Sequence, residues 1–371
     1  MADAMTSRER LMAAMRRQEV DRIPVHVRGV NFWDERWVAT RHASYRPVVE
    51  AVRQHGDPFI GWGVGGGPLL TTSQEVRFET AVVPGDDWNE HLTTMHTPLG
   101  PLTARHRTSN RGLPGMQMEF YIQDLGDIEK VLSAPWEPPR PQAHGFQELA
   151  QRFGERGLVT CDLSDPISYV HNLMGSERLA VWSRTERRQI LRLVNAFGER
   201  LLDLVEHLLS AGVGPVFRTS GQEFAVPPLM SPQDFRDFCI EPEVPIHGAI
   251  HEAGGLVHIH CHGPMDKVLE GFLDIGVDCL HPIEPPPMGD VELAEAKRRV
   301  GHRICLEGNL QIGDLYAAPT GEVTSKTLAA LRDGGPTGFI LCPTASPHTE
   351  VLSDLTVRNY LAMIETAARF Q

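Results

Sequence analysis

The second half of the chain alternates short apolar runs with amphipathic stretches, and this alternation restricts the fold more than any other feature. Between the apolar runs, apolar residues recur at steps of three and four, which is typical of helices that bury one face. Six runs have the length of buried strands: residues 158–161, 214–217, 256–260, 277–281, 303–306 and 338–342. Repeated strand–helix units of this kind indicate a parallel sheet covered by helices.

The N-terminal half supplies two further strands, at residues 23–27 and 59–64, each preceded by an amphipathic stretch. Eight parallel strands alternating with helices form a (β/α)8 TIM barrel, and such barrels exceed 250 residues as one domain. We therefore expect residues 1–371 to form a single TIM-barrel domain. Polar and apolar residues alternate within residues 67–122, which predicts a β-rich insertion over the C-terminal mouth.

Composition and charge narrow the class of partner. Hydrophobic residues make up 41% of the chain and charged residues 22%, as in ordinary globular proteins. A formal net charge of -13 without a basic cluster disfavours nucleic acid, so the expected partner is a small molecule. The first residues lack a signal-peptide core and no long apolar run follows, which predicts a cytoplasmic protein without a membrane partner. The oligomeric state is left open.

Polar residues that directly follow the predicted strands are the candidate site residues, because chemistry in a barrel sits at the C-terminal ends of the strands. They are Asp162, Asp165, Arg218, Glu223, His260, His262, His281, Glu284, Glu307, Asn309, Cys342 and His348. Glu307 and Asp162 are candidate proton-transfer groups, and Asn309 follows a glycine that permits close approach to a ligand.

Substrate binding is predicted for Arg218, Glu223 and His348. An arginine at a strand end can hold a substrate carboxylate through two parallel hydrogen bonds. A purely structural pair between Arg218 and Glu223 is the alternative.

Three histidines, His258, His260 and His262, occur at two-residue spacing and so share one face of an extended strand. Neutral imidazole is a zinc ligand, and zinc needs three or four N, S or O donors from different parts of a fold. Glu284 and Cys342 are candidates to complete such a set. Glu284 could instead be a solvated loop carboxylate, and Cys342 a packed thiol. For His258 the alternative is a hydrogen-bonded core residue.

Several segments together resemble the uroporphyrinogen decarboxylase superfamily over nearly the whole chain. They are RERL at residues 8–11, DRIPV at 21–25, LEGNL at 306–310 and GFIL at 338–341. The arginine motif with which the decarboxylases bind porphyrin carboxylates, in a MRQAGR context, is replaced by VRGVNF at 27–32. TPLGPL at 97–102 and IQDLGD at 122–127 are instead similar to the corrinoid and coenzyme M methyltransferases.

The resemblance implies a zinc-dependent methyltransferase of this branch. His260 matches the family's zinc histidine, His262 stands where the family has a cysteine, and Glu284 lies near its glutamate. Cys342 lies a few residues before the distal cysteine, whose place falls near Ala345. Methyl transfer would run to a thiol, or between a methylated substrate and a corrinoid carried by a partner protein.

Two other functions remain open at this point. One is a metal-independent decarboxylase or lyase acting on a small carboxylated substrate, with Arg218 holding the carboxylate and Asp162 or Glu307 moving the proton. The other is a noncatalytic small-molecule binder. Metal content separates the methyltransferase from both.

Overall fold

The computed structural model describes residues 4–370 apart from residues 112 and 114. The chain is a mixed α/β protein with two sheets. The strands are β1 Phe59–Gly63, β2 Arg77–Val83, β3 Trp88–Thr97, β4 Gly100–Ser109, β5 Met116–Glu119, β6 Leu158–Ser164, β7 Val216–Ser220, β8 Leu256–His260, β9 Cys279–His281, β10 Cys305–Leu310 and β11 Phe339–Pro343.

The larger sheet has seven parallel strands in the order β1-β6-β7-β8-β9-β10-β11. All seven were predicted from the sequence, within a few residues at each end. Because neighbouring strands are parallel and follow chain order, their C-terminal ends lie along one edge. The polar residues that follow the strands are therefore carried to the same side of the molecule.

The predicted strand at 23–27 pairs through a single residue. Val25 forms a parallel bridge with Leu341, the amide of His26 donates to the carbonyl of Leu341 at 2.9 Å, and the amide of Asp57 donates to the carbonyl of Val25 at 2.7 Å. Pro24 has no amide hydrogen to extend this pairing. The result is a curled, TIM-like sheet of seven strands with one bridging residue at its seam, and the predicted closed eight-stranded barrel is not confirmed.

Helices connect the strands on the outside of the sheet. Over the described residues they are α1 Ser7–Met15, α2 Glu35–Thr40, α3 Arg46–His55, α4 Leu125–Leu132, α5 His144–Phe153, α6 Pro166–Thr185, α7 Arg187–Ser210, α8 Pro232–Phe235, α9 Glu241–Glu252, α10 Gly271–Ile275, α11 Leu293–Val300, α12 Ile312–Ala317, α13 Thr320–Gly334 and α14 Asp354–Arg369. A π-helical turn, Arg236–Ile240, joins α8 to α9. Within the described part of the chain, no helix is both long and apolar enough to cross a membrane.

The first helix closes the N-terminal end of the sheet. Leu11, Ala14 and Met15 of α1 are buried in one cluster with the first residues of the strands, among them Phe59 and Val216. Thr6 caps α1: its hydroxyl accepts from the amide of Glu9, whose carboxylate accepts from the amide of Thr6. The helix is thus fixed at its start, and its apolar face seals the sheet on the side away from the polar strand ends.

Residues 67–122 contain the predicted β structure. Strands β2 to β5 form a four-stranded antiparallel sheet, in which β2 and β5 are exposed along their whole length. Met95 of β3 and Leu102 of β4 are buried and join the main core. This sheet is therefore anchored through its two middle strands.

Candidate active site

A buried carboxylate lies between two histidines in the centre of the sheet. Glu307 of β10 lies 2.5 Å from Nδ1 of His26 through Oε1 and 2.5 Å from Nε2 of His258 through Oε2. All three side chains are buried. Burial alone would raise the pKa of Glu307, but the surrounding histidines, His281, His26 and His258, hold it well below its usual range. Glu307 is therefore a carboxylate that accepts one N–H from each imidazole.

This arrangement fixes the tautomer of His26. Burial lowers the pKa of His26, so the ring is neutral, and Nδ1 carries the hydrogen donated to Glu307. Nε2 then holds the lone pair of a residue that lines the cavity described below. His26 was not among the sequence-based candidates, because it is one histidine inside the apolar run at 23–27. The only signal was a polar residue two positions before Arg28.

Cys342 belongs to this deeper layer. Its Sγ lies 3.7 Å from Nδ1 of His26, and burial and the nearby charge of Glu307 raise the pKa of the thiol well above its usual range. No contact of Cys342 with His260, His262 or Glu284 is found over the part of the chain that the structure describes. The predicted fourth zinc ligand thus lies with His26 and Glu307.

His260 and His281 form a second layer nearer the strand ends. Their Nδ1 atoms are 2.7 Å apart, and Nε2 of His281 lies 3.2 Å from the carbonyl oxygen of Pro343. Since a carbonyl only accepts, Nε2 of His281 carries a hydrogen and its Nδ1 accepts from Nδ1 of His260. Burial lowers the pKa of both rings. Nε2 of His260 is consequently a lone pair that this contact leaves available.

His262 and Glu284 pair at the ends of β8 and β9. Nδ1 of His262 lies 3.1 Å from Oε2 of Glu284, which also accepts from the amide of Gly263 at 2.9 Å. Burial raises the pKa of Glu284, but these two donors outweigh it and the net shift is downward. The rings of His260 and His262 meet edge to face with centroids 4.5 Å apart. The structure therefore brings three of the four predicted ligands, His260, His262 and Glu284, into one neighbourhood.

The donor chemistry of this trio fits zinc. Two histidines and one carboxylate are a known ligand set of catalytic zinc, in which a fourth position stays open for substrate. In this conformation the ligand atoms of the three residues do not all lie within 4.8 Å of one another. Among the described residues, three other groups have ligand atoms within 4.8 Å of one another. They are His26 with Glu307 and Cys342, His258 with Cys279 and Glu307, and Asp165 with Cys239 and Glu243.

A cavity of about 930 Å³ opens beside His26, and its four lining arginines outnumber its two lining carboxylates, Asp34 and Glu35. Arg28, Arg36, Arg152 and Arg218 all line it. Arg218 pairs with Asp162, which in turn accepts from the hydroxyl of Thr160 at 2.7 Å. Burial and the charge of Arg218 lower the pKa of Arg28, for which no ion pair is found in the described chain. The cavity therefore suits an anionic ligand.

Gly61 makes room for the pair between Arg218 and Asp162. A Cβ at this position would overlap the carboxylate of Asp162 and lie 3.0 Å from Nη2 of Arg218. A Cβ placed on Gly63, two residues further along, would have no other atom within 4 Å. The pair thus depends on the missing side chain of Gly61.

The remaining predicted residues lie at some distance from this cavity. Asn309 lines a smaller cavity of about 320 Å³ together with Pro285, Pro286 and Pro287. His348 is exposed and stacks on Tyr316 with ring centroids 4.4 Å apart. Glu223 accepts from the amide of Gly221 at 3.1 Å, and burial raises its pKa despite the nearby His262. Its predicted pair with Arg218 is replaced by that of Asp162.

Comparison with known proteins places the chain in a family. The model of the family described as uroporphyrinogen decarboxylase (URO-D) matches residues 139–370, which is more than half of the chain. The chain belongs to the URO-D family. No curated protein matches it at the sequence level.

Solved structures extend the likeness of this URO-D chain to its N-terminal part. A methyltransferase from Methanosarcina mazei matches 99% of this chain and 99% of its own length, with a TM-score of 0.63 and 14% identity. A muconate lactonizing enzyme from Pseudomonas putida covers 79% of this chain and 77% of its own, with 11% identity and a TM-score of 0.25, too low for any argument. The first match shows that both chains share a fold from end to end.

Proposed function

We propose that this URO-D family chain is a zinc-dependent methyltransferase acting on a small anionic molecule. Methyl would pass to a thiol, or between a methylated substrate and a corrinoid held by a partner protein. The observation that carries the proposal is the meeting of His260, His262 and Glu284 at the ends of β8 and β9, with Nε2 of His260 left as a lone pair. The full-length fold likeness to a methyltransferase supports it.

His260, His262 and Glu284 would hold the ion, with one position open for substrate. Zinc bound there would keep a substrate thiol in its thiolate form at neutral pH. Cys342 as a further ligand stays a prediction, because its sulfur contacts His26 and lies near Glu307.

The cavity arginines would orient the substrate. Arg28, for which the described residues provide no ion pair, and Arg218, which pairs with Asp162, can both donate to an anionic group. His26 lines the same cavity with a lone pair on Nε2, so it can accept the proton that a thiol releases. Glu307 acts through His26: it fixes the tautomer and stabilises the imidazolium that proton transfer creates.

A metal-independent decarboxylase or lyase is the second candidate, and one observation favours it. The cavity that holds Arg28, Arg218 and His26 is not lined by His260, His262 or Glu284. The arginines would hold the carboxylate, and His26, after taking a proton from solvent on Nε2, would give that proton to the carbanion left by loss of carbon dioxide. Metal dependence distinguishes this chemistry from methyl transfer.

The test combines metal analysis with two assays on the purified protein. Methyl transfer from methylcobalamin to coenzyme M, an anionic thiol, is measured with and without added zinc, together with bound zinc per chain. His260→Ala should abolish the transfer and remove one equivalent of zinc per chain, whereas the exposed control His302→Ala should change neither. A zinc content that His260→Ala leaves unchanged, with decarboxylation of carboxylated substrates unaffected by chelator, would replace this proposal with the lyase.

A further inference from the structure

A second cluster of buried polar groups lies outside the active-site cavity. Its members are Asp165, Gln222, Cys239, Glu243 and His247, each at most 1% exposed. Asp165 precedes α6, Gln222 follows β7, Cys239 lies in the π-helical turn, and the other two lie in α9. None of them lines the arginine cavity.

Three potential ligand atoms lie close together in this cluster, and two of the buried carboxylate oxygens lack the hydrogen bonds that buried polar atoms normally make. One ligand atom each of Asp165, Cys239 and Glu243 lies within 4.8 Å of the other two. Over the residues that the structure describes, Oδ2 of Asp165 and Oε1 of Glu243 have no hydrogen-bond partner. Their other oxygens are used, by the amide of Ser168 at 2.9 Å and by Nε2 of Gln222 at 2.8 Å. Two buried carboxyl groups side by side without a counter-charge are costly, so a positive species is required between them.

His247 presents a lone pair toward Glu243, a member of this group. Its Nδ1 lies 3.0 Å from the carbonyl oxygen of Ile275 and therefore carries a hydrogen. Burial lowers the pKa of this ring to about 4, so at neutral pH Nε2 has no hydrogen. That nitrogen has no hydrogen-bond partner within the described part of the chain, and it lies 3.6 Å from Oε2 of Glu243. A histidine that donates one ring N–H to a carbonyl and presents the other nitrogen bare has the usual form of a metal ligand.

The helix geometry explains how these groups share one side. Cys239, Glu243 and His247 are spaced four residues apart, which places them in one row along a helix. The row begins in the π-helical turn Arg236–Ile240, a wide turn of the kind often found at functional sites. Asp165 reaches the row from the end of β6.

We propose that Asp165, Cys239, Glu243 and His247 bind one divalent transition-metal ion at a closed, structural site. A thiolate, an imidazole and two carboxylates suit zinc or a zinc-like ion, whereas calcium and magnesium prefer oxygen ligands alone. The ion would join the end of β6 to α9 and neutralise both carboxylates. This site does not depend on the proposed methyl transfer.

Protons are the competing species. Burial raises the pKa of Asp165 to about 8 and the pKa of Glu243 well above its usual range. Two protonated carboxyl groups would also satisfy this cluster, and they would leave Cys239 as an ordinary packed thiol. The two cases differ in whether a metal ion contacts the sulfur.

Cobalt substitution tests this contact. Protein produced with Co²⁺ in place of zinc is examined for thiolate-to-cobalt charge-transfer absorption in the near ultraviolet. Cys239→Ala should abolish the band and remove one equivalent of metal per chain, and Glu243→Gln should lower the metal content in the same way. Cys305→Ala, at another fully buried thiol that lies with the first residues of the strands, is the matched control and should keep both. Cys342→Ala tests whether the charge-transfer band arises from the active-site cysteine instead.

The outcomes separate this site from the proposed function. Loss of one equivalent in Cys239→Ala, and of a different one in His260→Ala, supports two independent sites. A band that survives Cys239→Ala but not Cys342→Ala, or metal content that Cys239→Ala and Glu243→Gln leave unchanged, overturns the proposal. X-ray absorption of the zinc-loaded Cys342→Ala protein covers the case in which the cluster variants do not fold. One sulfur neighbour supports the site, and nitrogen and oxygen neighbours alone contradict it.

Discussion

Nδ1 of His26 lies 2.5 Å from Oε1 of Glu307, so the segment that bridges the seam of the sheet is tied to the tenth strand by a buried hydrogen bond. The contact joins residues 281 positions apart in the chain. It places an oriented imidazole in the wall of the arginine cavity.

Replacing Glu307 should harm both stability and turnover. Glu307→Gln keeps the size of the side chain but cannot accept from His26 and His258 with both terminal atoms, so one buried ring loses its partner. We expect a loss of about 1–3 kcal/mol in the free energy of unfolding, and a fall in kcat larger than the change in KM. Urea unfolding and steady-state kinetics measure these effects. Glu50→Gln, at an exposed position of α3, should alter neither; equal kinetics in both variants would contradict the role of Glu307.

Removing Arg28 should weaken binding of an anionic substrate. A hydrogen bond to a charged group contributes about 1.5–3 kcal/mol, so Arg28→Met should raise KM by about ten- to a hundred-fold. The effect of the variant should shrink at high salt, because screening weakens the wild-type contact. Arg188→Met, at an exposed arginine of α7, is the control. An unchanged KM would show that the anionic group binds elsewhere.

The space at Gly61 should be required by the pair of Arg218 and Asp162. In Gly61→Ala the new methyl group would push the carboxylate of Asp162 away from Arg218, so KM should rise while the fold is retained. Gly63→Ala has open space around the new atom and should behave as wild type. Kinetics on the two variants, with circular dichroism as a check of folding, give the comparison. Similar KM values in both would refute the positioning argument.

The pair of His251 and Asp278 should give a small pH dependence of stability. Nε2 of His251 lies 2.8 Å from Oδ2 of Asp278, and this hydrogen bond raises the pKa of the half-exposed histidine. A raised pKa means that the folded protein holds the proton more tightly than the unfolded chain. The stabilisation is complete below about pH 6.5 and disappears as pH rises through the folded pKa.

Comparison of variants isolates that effect. His251→Gln should lose stability at acidic pH only, by less than about 1 kcal/mol because the pair is partly solvated. His144→Gln, which removes a highly exposed pair with Glu148, should show no such dependence. Urea unfolding across the acidic to alkaline range is the measurement, and a constant difference between His251→Gln and wild type at every pH would contradict it.

The sequence was sufficient for the sheet and for part of the site. Strand–helix alternation predicts all seven paired strands because buried parallel strands are short apolar runs whatever their tertiary partners. The neighbours His260, His262 and Glu284 follow from it, since adjacent parallel strands carry their ends to one edge. The family match over residues 139–370 confirms the resemblance on which the zinc prediction depended.

The depth at which each site side chain lies inside the curled sheet could not be predicted from the sequence. Cys342 follows a strand as expected, but its contact with His26 depends on the chain closing at the seam, which no local pattern encodes. His26 itself looked like part of an apolar run. The apolar pattern does not predict helix α6, because Gly175, at φ 76°, interrupts the helix and its apolar residues do not follow one face. The row of Cys239, Glu243 and His247 was hidden inside an ordinary amphipathic pattern.

The seal that α1 makes beneath the strands has a kinetic consequence. With Leu11 and Met15 packed against the first residues of the strands, there is no passage through that end, and traffic must use the opposite face. The methyl donor, the methyl acceptor and the product would then enter and leave through the same opening. If the methyl donor is carried by a partner protein, as proposed, a small acceptor would have to bind before that protein covers the opening, so the rate should depend on the order of mixing.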